Sequence, residues 1–140
     1  VDVNLVFAGL AARAATLSSA GNPLTALDSM RDAITPPVFF PVDIEIDFDK
    51  TFQRGLDDWL VTCRLLVSKA DDRSGLAKLA AYMKGSGPLS VKAAIEAEKT
   101  LGGACHALHV KTVRGYGKYE HQGNNFYGAD WIVRVIGAGD

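Results

Sequence analysis

The chain has only two cysteines, Cys63 and Cys105, in 140 residues. That excludes a disulfide scaffold, and a chain of this length can bury a core without covalent staples. A reducing compartment is the expectation. A membrane-spanning run is also lacking: the longest apolar stretch near the N-terminus, Leu5 to Leu17, is broken by Arg13 and falls short of the ~20 residues a bilayer requires. The only charge ahead of it is Asp2, so it carries no basic leader segment. The sequence therefore predicts a soluble chain, cytoplasmic at synthesis. Excess charge of one sign is missing as well, since 15 Lys and Arg against 16 Asp and Glu leave a net of −1. Such near-neutrality argues against a protein that grips nucleic acid by its phosphates. With 48% hydrophobic and 22% charged residues, the composition is that of one globular domain spanning 1–140, without internal repeats or low-complexity segments.

Periodicity supplies the elements. Val3, Val6, Phe7, Leu10 and Leu17 recur at helical spacing and predict a helix over about 3–18, stopped by Gly21, Asn22 and Pro23. Residues 19–35 read as a linker with a short helical run from Thr25 to Ile34, after which Pro36 and Pro37 force an extended chain. From there the period becomes two: Val42, Ile44, Ile46 and Phe48 alternate with Asp43, Glu45, Asp47 and Asp49, giving one apolar and one acidic face. Asp49 to Leu56 reads as a loop. Trp59, Val61, Cys63, Leu65 and Val67 then mark a central strand, with a partner a candidate cover for its second face.

Asp71 and Asp72 are placed to cap a helix running to about Lys84, with Leu76, Leu79, Ala80 and Met83 buried. Ser90 is placed to cap another to about Leu101, closed by Gly102 and Gly103. Two strands follow, Ala107 to Tyr119 and Asn125 to Ile136, joined by a turn over Glu120 to Asn124. Strands grouped around a helix pair predict an α+β fold: a mainly antiparallel sheet of four to five strands packed against two to three helices.

Chemistry-bearing patterns are sparse. Cys105, His106 and His109 do not make a metal site, because 106 and 109 face opposite sides of a strand and no second cluster completes the ligands. Cys63 lies inside an apolar alternation and reads as a small hydrophobe rather than a nucleophile. Gly115, Tyr116 and Gly117 lack the strand-to-helix context and the lysine of a phosphate loop; they read as a strand bulge. No metal, cofactor or catalytic residue is expected. The column Asp43, Glu45, Asp47 and Asp49 is the wrong shape for a calcium cage, and it reads either as a solvated face or as a surface that meets a basic partner or repels DNA phosphate. Charge is unevenly spread, with a net of −4 over residues 42–58 and +6 over 64–118. Oppositely charged portions in a neutral chain suit docking against copies of itself or complementary neighbours.

The run Ser90-Val-Lys-Ala-Ala-Ile-Glu-Ala-Glu-Lys-Thr-Leu-Gly-Gly-Ala-Cys105 carries a family resemblance. With Asp72-Arg-Ser, Pro36-Pro37 before a strand, and Phe48 to Asp58, it resembles the tail terminator proteins of long-tailed phages of actinobacteria, over about Pro36 to Ile136. The resemblance implies a structural virion protein without catalytic activity. It would form a hexameric ring on the head-proximal end of the tail tube, ending tube polymerisation and meeting the neck or head-completion proteins, with DNA passing through the lumen. Under that reading, Asp43, Glu45, Asp47, Asp49, Lys50, Phe52 and Arg54 are candidates for the lumen or a partner surface, and Tyr116, Tyr119, Phe126 and Tyr127 for the subunit interface. The alternatives are another head-tail connector or a tail tube subunit and, from a different class, a small cytoplasmic enzyme or ligand-binding domain marked by a pocket of convergent polar groups.

Overall fold

The computed structural model describes residues 3–17, 24–29, 34, 36–51, 56–69, 74–87 and 89–138. Helix α1 (Val3–Ala15) precedes a two-residue strand β1 (Thr25–Ala26) and the long strands β2 (Val38–Thr51) and β3 (Leu56–Lys69). Helices α2 (Ser74–Tyr82) and α3 (Val91–Glu96) and a 3₁₀ turn (Leu101–Gly103) lead into β4 (Ala107–His121) and β5 (Asn124–Ala138). The strands form one sheet in the order β1-β2-β3-β5-β4, antiparallel except for the parallel pair β1-β2. The fold is α+β and mainly antiparallel, as the element order predicts.

One sheet face carries the main core. Side chains alternate along a strand and cross-strand partners share a face. Trp59, Val61, Cys63 and Leu65 of β3 therefore lie on the same side as Trp131, Val133 and Val135 of β5 and Leu108 and Val110 of β4. The helices close over this side with Val6, Leu10, Ala14, Leu79, Tyr82, Val91 and Ile95. A smaller cluster sits at one end of the other face, where Val38, Phe40, Leu66 and Phe126 are buried together with Leu27, Ile34, Val42 and Tyr119 packed against them.

Several local features follow from the residues. Ser90 caps α3 as expected: its hydroxyl accepts from the Ala93 N–H at 3.1 Å and donates to the Lys84 carbonyl at 2.6 Å, joining the two helices. Gln122 and Gly123, both at positive φ, turn the chain tightly between His121 and Asn124. Gly115, at φ 73, sits in the β4 bulge between Arg114 and Gly117, and the Tyr119 hydroxyl donates to its carbonyl at 2.6 Å. The bulge reading of Gly115 to Gly117 is thus the observed one.

Four expectations are corrected. Thr25 and Ala26 are extended rather than helical, because the Thr25 and Leu27 N–H groups bond the Pro37 and Phe39 carbonyls on the edge of β2. Val42 does not share a face with Ile44 and Ile46. The register shift between Pro41 and Asp43 makes it a bulge residue that packs with the second cluster, while Ile44 and Ile46 pack on the main core. Asp49 to Thr51 continue β2 and Leu56 opens β3, rather than lying in a loop. In α2, Tyr82 is fully buried and Ala80 is exposed, and α3 ends at Glu96 before the 3₁₀ turn. The expected caps Asp71 and Asp72 lie outside the described residues.

Candidate functional site

Away from the small cluster, the second sheet face is open and charged. Asp43, Glu45 and Asp47 stand exposed along β2, placed there by the Val42 bulge that turns the even positions toward the core. The backbone at Asp49 and Lys50 continues the same strand, while Phe52 and Arg54 lie outside the described residues. Toward the other edge, β4 carries exposed Lys111 and Arg114 on this face, while Lys118, opposite the core-packed Tyr127, is exposed on the helix side. Between these rows runs a trough of about 230 Å³, with Asp43 and Glu45 on its acidic side, Lys111 and Arg114 on its basic side, and Leu60, Thr62 and Ile132 across its floor.

Two ion pairs on the central strands fix this face. Arg64 Nε and Nη2 donate to Asp130 at 2.9 and 3.2 Å, joining β3 to β5, and the Arg64 guanidinium lies 4.2 Å from the centre of the Tyr119 ring. Arg134 Nε donates to both Asp58 oxygens at 3.0 and 3.1 Å, making the second tie between the same strands. These partners were not paired by sequence reasoning. The signal lay in opposite charges on alternate positions of strands destined to be neighbours, which is informative only once the register is known.

At the outer edge of β4, Glu96 acts as a clasp. Its carboxylate accepts the Val110 N–H at 2.9 Å and pairs with Lys92 and with His109 Nδ1 at 3.1 Å. Burial alone would raise its pKa, but the hydrogen bonds from Lys92 and Val110, with the charges of Lys92 and His109, hold it below the usual carboxylate value. A depressed carboxylate stabilises the fold above its ordinary pKa, and that contribution is lost as pH falls through the lower native value. Glu96→Gln should therefore cost roughly 1 kcal/mol at pH 7 and converge with the parent only as the pH falls through the depressed native value. Urea titrations across that range check it, and a loss that persists undiminished in acid would contradict the clasp.

The remaining candidates separate clearly. Tyr116 is exposed, Tyr119 covers Arg64, and Tyr127 packs against the main core. Phe126 is 3% exposed inside the chain's own second cluster, so it is not available as a surface residue. His106 is exposed beside buried Cys105, whose thiol donates to the Lys99 carbonyl at 3.4 Å, and burial pushes that thiol's pKa up. Burial and then the Asp130 charge push the Cys63 thiol up to about 12, leaving it protonated at neutral pH. Among the described residues no group of three or more His, Cys, Asp or Glu converges to hold a metal. Among them also, no helix is long and apolar enough to cross a membrane. The Tyr82 hydroxyl and Trp59 Nε1 are buried without a hydrogen-bond partner, each on the core side of the sheet.

The backbone edges complete the geometry. β1 pairs with β2 only at Val38 and Phe39, so among the described residues no strand covers β2 from Pro41 to Asp47. Past the Glu96 clasp, β4 likewise has β5 as its only described strand neighbour. The sheet thus ends in an acidic edge on one side and a basic edge on the other. No family model matches this chain, and no curated protein matches it significantly.

Proposed function

We propose that this chain is a structural subunit of a phage tail, the terminator that forms a hexameric ring on the head-proximal end of the tail tube. The observation that carries the reading is the run from Ser90 to Cys105, the most specific part of the resemblance. In the fold it forms the capped helix and glycine turn that pack beside α1 and lead into β4. The charged open face supports the same reading. A 140-residue subunit has a radius of gyration of about 14 Å, too small to encircle a duplex alone. A ring of identical head-to-tail contacts can do so. Carboxylates of Asp43, Glu45 and Asp47 facing its lumen would keep passing phosphates from adhering. The partners are then further copies of this chain, the tail tube protein and a neck or head-completion protein, with DNA as cargo only. The place of action is the virion, after assembly in the host cytoplasm.

Copy number in purified tails tests the reading. Six copies confined to one end are expected, and tube protein polymerising in the presence of this chain should stop at capped lengths. Copies along the whole tube would make it a tube subunit and end the proposal. Reversing Asp43, Glu45 and Asp47 to lysine should impair ring assembly or slow DNA ejection in the particles that form; unchanged assembly and infectivity would remove the lumen assignment.

A further inference from the structure

We propose that copies of this chain join edge to edge, the acidic β2 edge of one pairing with the basic β4 edge of the next to continue the sheet across the junction. The contact is the subunit junction of the ring proposed above and rests on that reading. Three observations carry it. β2 from Pro41 to Asp47 and β4 past Val110 lack an outer strand neighbour among the described residues, and each stretch belongs to a strand of 14 or 15 residues. Edges of that length are templates for strand addition. Their charges on the open face are opposite: Asp43, Glu45 and Asp47 on one, Lys111 and Arg114 on the other, all exposed.

That pattern discriminates between pairings. Two β2 edges would set carboxylates against carboxylates, and two β4 edges would set cations against cations, each unfavourable across a strand pair. The mixed pairing alone brings opposite charges together, so closed two-fold dimers are disfavoured and head-to-tail growth is favoured. Direction agrees. β2, β3, β5 and β4 alternate in sense across the sheet, so a neighbour in the same orientation presents its β4 antiparallel to β2. The new ladder is then antiparallel like the rest. Its extent is bounded by Pro41, which has no N–H to offer, and by Glu96, which already occupies the β4 edge at Val110. Every helix layer stays on one side of the joined sheet, and every charged trough on the other.

The test uses the full chain with single surface cysteines, Glu45→Cys on β2 and Lys111→Cys on β4, and a short bis-maleimide; Cys63 and Cys105 are buried. A mixture of the two variants should yield covalent dimer at least about tenfold above either variant alone, and the double variant should yield a ladder ending in a closed species. Equal yields from single variants, or no mixed dimer at any protein concentration, would overturn the junction. The unmodified chain gives a second readout: sedimentation should show self-association that weakens roughly tenfold between low salt and about 0.5 M, and association indifferent to salt counts against the charge pairing. The two proposals fail separately. A mixed crosslink without end-capping of tubes leaves the junction and removes the terminator role, whereas capped tubes without the crosslink do the reverse.

Discussion

Gly128→Ala is expected to remove about 3 kcal/mol of stability, a large part of what a domain this size possesses. Gly128 sits on β5 where bulges in both neighbours converge, opposite Leu66 of β3 and Gly117 of β4. A Cβ there would stand 2.3 Å from the Leu65 carbonyl oxygen and 2.8 Å from Leu66 Cδ2. The oxygen belongs to a central strand and cannot retreat without breaking the β3-β5 ladder. Leu66 is fully buried and has no room to turn away. With a urea dependence of roughly 2 kcal/mol per M, the unfolding midpoint should fall by about 1.5 M. Gly85→Ala is the control, because a Cβ at Gly85 meets nothing within 4 Å. Equal midpoints for the two variants would refute the close packing at Gly128.

What the sequence could announce was local. The period-two run around Trp59 and Val61, the Ser90 cap and the Gln122-Gly123 turn each depend on residues within a few positions of one another, and each lies where expected. Register was not legible, because one inserted residue at Val42 exchanges the faces of β2 and leaves only an unbroken apolar alternation as its trace. The Thr25 segment misled for a related reason: its extended form is fixed by hydrogen bonds to Pro37 and Phe39, partners more than ten residues away. Tyr82 escaped notice because its ring is buried with the hydroxyl unpaired, against the habit of that side chain.

The charged face was legible in part. The acidic column was visible as a pattern, and the −4 and +6 segments as arithmetic. What no composition reveals is that the sheet order puts the acidic residues of β2 toward one edge and the basic residues of β4 toward the other. β2 follows β3 on one flank and β4 follows β5 on the other, with the Asp58–Arg134 and Asp130–Arg64 pairs neutralising the middle. Near-neutrality of the whole is therefore the sum of two poles. A subunit polarised across its strands can bind copies of itself in one sense only, which is the physical content of the proposed junction.

Cys63 should label with thiol reagents at least about a thousandfold more slowly in the native protein than in the unfolded chain at pH 8, since thiolate is the reactive form. Burial, with the Asp130 charge second, moves its pKa from 9.0 to about 12, and the side chain is wholly enclosed in the core. Labelling must therefore pass through unfolding, and its rate should follow stability in urea. Cys105, under the short turn after Gly103, should react sooner through local opening. The raised value also fixes a sign. The native state holds this proton more tightly than the unfolded state, so the stabilisation is complete below pH 9 and is lost as pH rises toward about 12, at about 1.4 kcal/mol per unit. Tyr82, whose phenol is pushed up by burial, adds to the same alkaline loss, so the check is Cys63→Ala against the parent rather than against a flat line. The variant should be weaker at pH 7 from the space it leaves and should lose less on going to pH 10. A Cys63 that reacts at the unfolded rate would place the thiol at the surface. A protected one assigns it to packing, and leaves the charges at the sheet edges as the chemistry the described surface presents to a partner.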